Sequence, residues 1–455
     1  MEAPDLANVS VLKTEGLLFF TLLQLAAIIL AGRLGGLAAR RLGQSPAVGE
    51  IVAGILLGPT LAGLVSPQAF AYVFQSTPPE PLQILAQVGL LLMMFQIGLE
   101  FEFSHLLEGR NRTAVIRVAV AGLVAPFALG LAFGYATAPI LSPEADRLAS
   151  GLFIATAFSI TALPILGRIM IELGIQRTAL GVIAISAAAI NDVVGWLVLA
   201  LVTTLTLARF DALGFGLQVL LLVAYLLGSW SLVRPLLRRL VARAAPTANH
   251  LPPGLLGMVL VAVFLSGMAT IELGIFGIFG GFLMGVLLHR EQGLVEAWRA
   301  RMEPFVLVFF LPIFFTYTGL RTDIGGLDGL AAWGWCALIL VLATLGKLGG
   351  TYVAARWSGL GHYEASSLGI MMNTRALMEL VVLNVGYDLG VISQPVFTML
   401  VIMALATTVI TGPTLRRWLP RAGVPVPPRG AEIDSGAPAS ITAPQAPQHK
   451  NGRPR

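Results

Sequence analysis

Charged residues are scarce in this sequence: Asp, Glu, Lys and Arg make up 12% of its 455 residues, about half the share found in an average soluble domain. Hydrophobic residues make up 56%. This balance excludes an ordinary water-soluble protein, and the apolar excess also excludes a disordered chain. The single cysteine, Cys336, has no partner for a disulfide or a thiolate metal site. We therefore expect no redox chemistry and no cofactor.

Long apolar segments take the place of the missing charges, and about 20 such residues cross a bilayer. We predict an all-α polytopic membrane protein with about 13 transmembrane helices within a transmembrane domain, residues 1–415. The Pro-, Ala-, Gly- and Ser-rich residues 422–455 predict a disordered cytoplasmic tail, too short for an appended regulatory domain. The candidate spans are 16–32, 46–65, 82–99, 114–138, 149–171, 178–207, 213–237, 253–270, 273–289, 303–320, 330–354, 364–387 and 393–415.

The loop charges predict the orientation, because Lys and Arg gather on the cytoplasmic side of short loops. With the N-terminus outside, 19 basic loop residues fall inside and four, Lys13, Arg147, Arg209 and Arg321, fall outside. This predicts a cytoplasmic C-terminus in a bacterial-type inner membrane. The segment 1–16 lacks the basic region of a signal peptide, so we expect the first helix to be retained. The basic residues reflect this orientation and do not indicate a nucleic-acid partner.

Five charges lie within apolar segments: Lys347, Arg375, Asp192, Glu379 and Glu50. A charge at the centre of a span costs about 2.5–3.5 kcal/mol, so each is a functional candidate. Structural alternatives exist for four of them. Arg375 and Glu379 have the i,i+4 spacing of a helical ion pair, Lys347 suits a structural counter-charge, and Glu50 suits a solvated helix end. Asp192 is flanked by long apolar runs and is the strongest functional candidate.

A membrane carboxylate such as Asp192 can exchange two kinds of cargo. The oxygen atoms that accept a proton are also hard ligands for a metal cation. Proton and Na+ or K+ therefore compete for one site, which is the minimal chemistry of an antiporter.

Polar motifs interrupt two spans in their middles: AFSITALPILG holds Ser159, Thr161 and Pro164, and MMNTRALMEL holds Asn373 and Thr374. Unwound half-helices near the midplane present backbone carbonyls and dipole ends to an ion. The two spans are seven apart in order, so they run in opposite directions. This order predicts two inverted repeats, spans one to six and eight to thirteen, joined by the seventh.

Four motifs together resemble the cation:proton antiporter-2 family, the Kef-like K+/H+ and Na+/H+ exchangers. They are FSITALPILGRIMIELGIQRTALGVIAISAAAINDVVGW, LGQSPAVGEIVAGILLGP, GIFGIFGGFLMG and MNTRALMELVVLNVG. The resemblance covers about residues 15–415. It implies a homodimer with a dimerisation domain and a core domain, in which two broken helices cross and move as an elevator.

The same resemblance implies roles for individual residues. Asp192 resembles the ion-binding and proton-carrying aspartate, and Asn191 occupies the place of a second aspartate in electrogenic members. One carboxylate favours electroneutral one-for-one exchange, although Lys347 resembles the basic residue of the electrogenic arrangement. The resemblance assigns the unwound stretches to Ser159 and Thr161 and to Asn373, Thr374 and Arg375, and supporting acidic positions to Glu379 and Glu50.

Three other functions fit parts of the sequence. A sodium-coupled solute symporter shares the inverted-repeat design, and a passive channel or sensor is a second alternative. An intramembrane aspartyl protease needs two facing aspartates, for which Asp192 and Asp388 are the candidates, but the GxGD signature of such proteases is missing. We therefore predict a transporter and not an enzyme. The choice between Na+ and K+ stays open at this point.

Overall fold

The computed structural model is helical through most of the residues it describes, which are 6–99, 112–175, 178–207, 212–273, 276–375 and 377–426. Within these ranges, nine helices are long and apolar enough to cross a membrane, and two shorter apolar helices accompany them. The prediction of an all-α polytopic membrane fold is confirmed. Residues 427–455, most of the expected cytoplasmic tail, lie outside the described residues, as does Arg209.

The helices fall into two halves joined by α10. The first half contains α1 (Leu6–Arg41), α2 (Pro46–Leu56), α3 (Ala62–Val65), α4 (Pro67–Phe70, continued by a π turn, Ala71–Gln75), α5 (Glu80–Leu99), α6 (Arg112–Leu141), α7 (Arg147–Ser159), α8 (Leu163–Glu172) and α9 (Ala179–Leu207). Helix α10 comprises Ala212–Gly228, a π turn (Ser229–Val233) and Arg234–Ala244. The second half contains α11 (Pro253–Glu272), α12 (Gly277–Leu288), α13 (Gln292–Arg301), α14 (Glu303–Leu320), α15 (Gly329–Trp357), α16 (His362–Met372), α17 (Leu377–Asp388), α18 (Gln394–Trp418) and a 3-10 turn (Pro420–Ala422).

The two halves pair their helices in matching ways. Helix α6 packs on α7 and α9 as α15 packs on α16 and α18, and α1 packs on α2 as α11 packs on α12. Between the halves, α2 packs on α14 while α12 packs on α5. Each half therefore places its second helix against the third long helix of the other half. This reciprocal pairing is the arrangement expected of two repeats.

Glycines bring the paired helices together in both halves. A Cβ atom on Gly319 of α14 would overlap the backbone of Gly54 in α2. Equivalently, a Cβ atom on Gly285 of α12 would overlap the backbone of Phe95 and Gly98 in α5. Helix pairs in membranes lack a hydrophobic driving force between them, so close backbone approach through small residues supplies the packing energy.

The helices form two units. We call α1, α2, α5, α11, α12 and α14 the scaffold unit, and α6 to α9 together with α15 to α18 the core unit, according to the contacts that join them. Two predicted spans of the core unit, 149–171 and 364–387, are each broken into two helices. In the scaffold unit, the predicted span 46–65 is helical only to Leu56 before a turn at 57–61. Pro59 explains this early end, because the residue before a proline disfavours helical backbone.

Candidate functional site

The two broken helices of the core unit meet at their breaks. Residues 160–162 separate α7 from α8, and 373–375 follow α16. The N–H of Ala162 donates to the carbonyl oxygen of Thr374 at 2.9 Å, and the Thr161 hydroxyl donates to the carbonyl oxygen of Met372 at 3.1 Å. Pro164 is the second residue of α8, where its missing N–H removes no helical bond. The two breaks thus supply hydrogen-bond partners for each other's backbone groups, which lack partners within their own helices.

Two cations cap the end of α7 at this crossing. The Arg375 guanidinium donates to the carbonyl oxygens of Ala157 at 2.6 Å and Phe158 at 2.7 Å. The Lys347 ammonium donates to the carbonyl oxygen of Ser159. The last carbonyls of a helix carry partial negative charge and have no partners within the helix, so they stabilise cations placed against them. Arg375 and Lys347 therefore stabilise the end of α7 at the first break.

Arg375 also forms an ion pair. Its guanidinium lies 3.2 Å from the Glu379 carboxylate, four residues later, and both side chains are fully buried. Glu379 is in the first turn of α17, where the helix dipole favours an anion. The i,i+4 pair considered from the sequence is thus present, and the same arginine binds the first broken helix. Arg375 joins the two broken helices through its side chain.

Asp192 lies on α9 beside the crossing and is 2% exposed. Neither of its carboxylate oxygens has a hydrogen-bond donor in good geometry among the described residues. The backbone N–H of Leu163, at the start of α8, faces the carboxylate, and Lys347 lies within electrostatic range. Lys347 itself occupies a π turn of α15, Leu345–Gly349, a feature frequent at functional sites. Within the described residues, the Asp192 carboxylate is therefore buried without a fixed hydrogen-bond donor.

Asn191 and Asn373 share this lack of fixed partners. Asn191 is fully buried, and neither atom of its amide has a hydrogen-bond partner among the described residues. The side-chain oxygen of Asn373, in the second break, is also unpartnered within that part of the chain. Thr374 is better satisfied, because its hydroxyl lies 3.3 Å from that of Thr411. The crossing thus collects buried oxygen atoms that are available to a ligand.

Glu50 lies away from the crossing of the two broken helices. It lies on α2 of the scaffold unit, and one carboxylate oxygen lies 3.5 Å from the position that a Cβ on Gly36 of α1 would take. It is 8% exposed, so it is not a solvated helix end. Of the residues singled out from the sequence, ten lie at the crossing or next to it, and Glu50 lies apart.

A second polar cluster, which sequence reasoning did not identify, bridges the scaffold and core units. The Arg321 guanidinium at the end of α14 lies 2.6 Å from the Asp388 carboxylate of α17 and 3.2 Å from the side-chain oxygen of Asn384. The Asn384 amide donates to the Thr318 hydroxyl at 2.9 Å. Since Asp388 binds Arg321 at the far end of α17, it does not face Asp192 as a protease partner would.

A cavity of about 590 Å³ adjoins this bridge. It runs along one face of α17 from Val381 to Asp388 and is lined on its other side by α5, α11, α12 and α14. Its lining on α17 begins at Val381, two residues beyond Glu379. Most of its lining is apolar, and polar groups are contributed by Gln87, Tyr317, Asn384 and Asp388.

Two crossed breaks beside a buried carboxylate, in a helical protein whose two halves pair their helices in matching ways, are the features of a secondary transporter. Comparison with known proteins agrees. Residues 25–421 match the family model described as sodium/hydrogen exchanger, transmembrane. The chain therefore belongs to the sodium/hydrogen exchanger family, whose members are transporters and not enzymes.

Individual relatives extend this result. The chain is 38% identical over 406 residues to the Na+/H+ antiporter NhaS4 of Synechocystis sp., covering 89% of this chain and 98% of that protein. It is 35% identical over 407 residues to cation/H+ antiporter 20 of Arabidopsis thaliana, covering 87% of this chain but 48% of the plant protein. The fold is similar to that of the sodium proton antiporter MjNhaP1 from Methanocaldococcus jannaschii, with a TM-score of 0.57 at 14% identity, covering 88% and 96% of the two chains.

Proposed function

We propose that this protein exchanges a monovalent cation, Na+ or K+, for a proton across the membrane, and that Asp192 carries each in turn. The observation that carries the proposal is the Asp192 carboxylate, buried beside the crossing with no fixed hydrogen-bond donor among the described residues. A permanently paired carboxylate would have to break that pair in every cycle. An unpaired one is free to take either cargo.

One carboxylate supports electroneutral exchange. Asp192 with one proton and Asp192 with one monovalent cation carry the same charge, so the loaded site has the same charge in both directions of the cycle. The other buried charges, Lys347, Arg375 and Glu379, are held by contacts within the core unit. Electroneutral exchange requires that these three groups end each half-cycle with the protons with which they began it. The membrane potential then does not drive the exchange.

Alternating access follows from movement of the core unit against the scaffold unit, as in an elevator. The cavity beside α17 lies between parts of these units, and we assign to it the start of an access route from the face that carries Arg321. Two copies of the chain associate through their scaffold units, so that only the core units move. The protein lies in the inner membrane with its N-terminus outside, which makes the Arg321 face external and the C-terminus cytoplasmic.

The test is proton flux in proteoliposomes, followed with a pH-sensitive dye while the membrane potential is clamped. Addition of Na+ or K+ to the wild-type protein should drive proton movement at a rate independent of the clamped potential. Asp192→Asn should reduce this flux to the level of empty liposomes, while Glu144→Gln, a change in the loop between α6 and α7, should leave it intact. Substantial exchange by Asp192→Asn would contradict the assignment, and potential-dependent flux would contradict electroneutrality.

A further inference from the structure

A second cavity, of about 290 Å³, lies in the core unit between α15, α16 and α18, and we call it the lateral cavity. Three apolar side chains of its lining, Val341 and Leu345 on α15 and Ile410 on α18, are 49%, 60% and 50% exposed. Apolar residues exposed on the outside of membrane-spanning helices face lipid, so the lateral cavity opens to the bilayer. Val341 and Leu345 flank the midpoint of the 29-residue helix α15. The opening therefore lies at the depth of the hydrocarbon core.

The inner end of the lateral cavity carries a polar side chain, Asn373, in the break that follows α16. Asn373 is 1% exposed, and its side-chain oxygen has no hydrogen-bond partner in the described part of the chain. The cations of the crossing, Arg375 and Lys347, donate to the end of α7 instead. Thr407 also lines the cavity, but its hydroxyl donates to a carbonyl oxygen of its own helix at 3.0 Å. The Asn373 oxygen is therefore an acceptor that a ligand in the cavity can satisfy.

These properties define the chemistry of such a ligand. Five of the eight lining residues carry hydrocarbon side chains, so the body of the ligand is apolar, and the surrounding lipid offers no water to Asn373. A cavity of about 150 Å³ binds benzene. The lateral cavity is about twice that size and accommodates an apolar body of about ten carbon atoms.

The polar end of the ligand is a hydroxyl group. A hydroxyl donates to the oxygen of an amide and accepts from its nitrogen, so it pairs with Asn373 whichever way the amide is turned. The acyl chain of a phospholipid ends in a methyl group, and it would fill the cavity while leaving the Asn373 oxygen without a donor. A buried acceptor gains most from a ligand that supplies this missing hydrogen bond.

We propose that the lateral cavity binds a lipid-soluble alcohol from the bilayer, with its hydroxyl on Asn373 and its chain directed toward Ile410. Asn373 lies between Met372 and Thr374, whose carbonyl oxygens accept hydrogen bonds from the first break. The bound alcohol thus connects the bilayer with the second break. The proposal concerns binding alone and does not depend on which ions the protein exchanges.

The experiment labels the full chain in proteoliposomes with a decanol that carries a photoreactive diazirine on its chain. After illumination, mass spectrometry should find the label on Val341, Leu345 or Ile410. Unlabelled 1-decanol should suppress this labelling at a concentration about tenfold lower than decane requires, because decane lacks the hydroxyl. Equal suppression by decane and 1-decanol would overturn the proposal.

Substitutions of the lining test the two ends of the ligand separately. Asn373→Leu keeps a side chain of similar size without its polar groups, so decane and 1-decanol should then suppress labelling equally. Val341→Phe and Ile410→Phe, on different helices, fill the cavity with a larger ring and should abolish labelling of the remaining lining residues. Both positions already face lipid, so a larger apolar side chain there is compatible with the fold. Unchanged labelling in both phenylalanine variants would overturn the proposal.

A matched control separates the cavity from the lipid-facing surface in general. Leu338 is also exposed on α15, at 40%, but lies outside the lining of the lateral cavity, so Leu338→Phe should label as the wild-type protein does. Loss of labelling in this variant as well would overturn the proposal. Thermal unfolding identifies any variant that does not fold, and the comparison of decane with 1-decanol on the wild-type protein then decides alone.

Failure of this proposal is distinguishable from failure of the proposed function. Labelling requires no transport, so a protein without cation-driven proton flux can still bind the alcohol as described. Conversely, a wild-type protein that exchanges cations but shows no hydroxyl-dependent labelling would refute the alcohol site and leave the antiporter standing.

Discussion

The Lys347 ammonium donates its hydrogen bond to the carbonyl oxygen of Ser159 and not to the Asp192 carboxylate, which lies within its electrostatic range and has no hydrogen bond of good geometry from the described part of the chain. A cation fixed in this way acts on the carboxylate through its field, and it does not compete with the cargo for the carboxylate oxygens. Lys347 therefore has two separable properties, its charge and its hydrogen bond.

Substitution of Lys347 can separate these properties. Lys347→Gln retains a donor toward Ser159 and removes the charge, whereas Lys347→Met removes both. Without the nearby charge, Asp192 holds its proton more tightly, so the pH for half-maximal exchange should move about one unit in the alkaline direction in both variants. Only Lys347→Met should also lower the thermal unfolding temperature. An unchanged pH profile in both variants would show that Lys347 does not act on Asp192.

The ion pair of Arg375 and Glu379 predicts a strong effect on stability. Arg375→Met leaves a buried carboxylate and the carbonyl oxygens of Ala157 and Phe158 without their partner, which should destabilise the protein by about 3–5 kcal/mol. The double variant Arg375→Met/Glu379→Met should lose less than the sum of the two single variants. Thermal unfolding in detergent measures all three, and strict additivity would show that the pair does not interact.

Substitutions of Arg321 and of Asp388 should change the apparent KM for the cation in opposite directions. Both side chains are partly exposed at the end of the cavity beside α17. Asp388→Asn leaves a positive charge there and should raise the apparent KM for the cation a few-fold, whereas Arg321→Gln leaves a negative charge and should lower it. Both shifts should shrink at high ionic strength because exposed charges are screened. Shifts of the same sign would indicate a structural effect instead.

We expect Asn191, the residue before Asp192, to set the number of protons exchanged for each cation. Asn191→Asp adds a second carboxylate to the buried site, so that two protons can exchange for one cation. Cation-driven proton flux in this variant should depend on the clamped membrane potential, while flux in the wild-type protein should not. Asn191→Leu, which adds no charge, serves as the control. Potential-independent flux in Asn191→Asp would show that position 191 does not carry a proton.

Much of the fold could be predicted because its physical cause is local in sequence. The apolar runs and the one-sided loop arginines identify membrane helices without any knowledge of packing. Pro164 and the polar residues around Thr161 and Asn373 mark the two breaks, since such residues cannot continue a regular apolar helix without internal partners. The prediction placed both breaks within a few residues of where the structure has them.

The contacts that build the site could not be predicted in the same way. Lys347 and Ser159 are separated by 188 residues, and Arg375 and Ala157 by 218, so no sequence spacing relates them. Glu50 was placed at a span end, and only packing of α2 against α1 shows that it is buried.

The hydrogen bonds between the two breaks have a consequence for how the protein is made. Thr161 and Met372 are separated by 211 residues, so the first break enters the membrane long before the chain that satisfies it has been synthesised. During that interval the Asp192 helix and the end of α7 lack both Arg375 and Lys347. The first half on its own is therefore expected to be short-lived in the membrane and to become stable when the second half is inserted beside it.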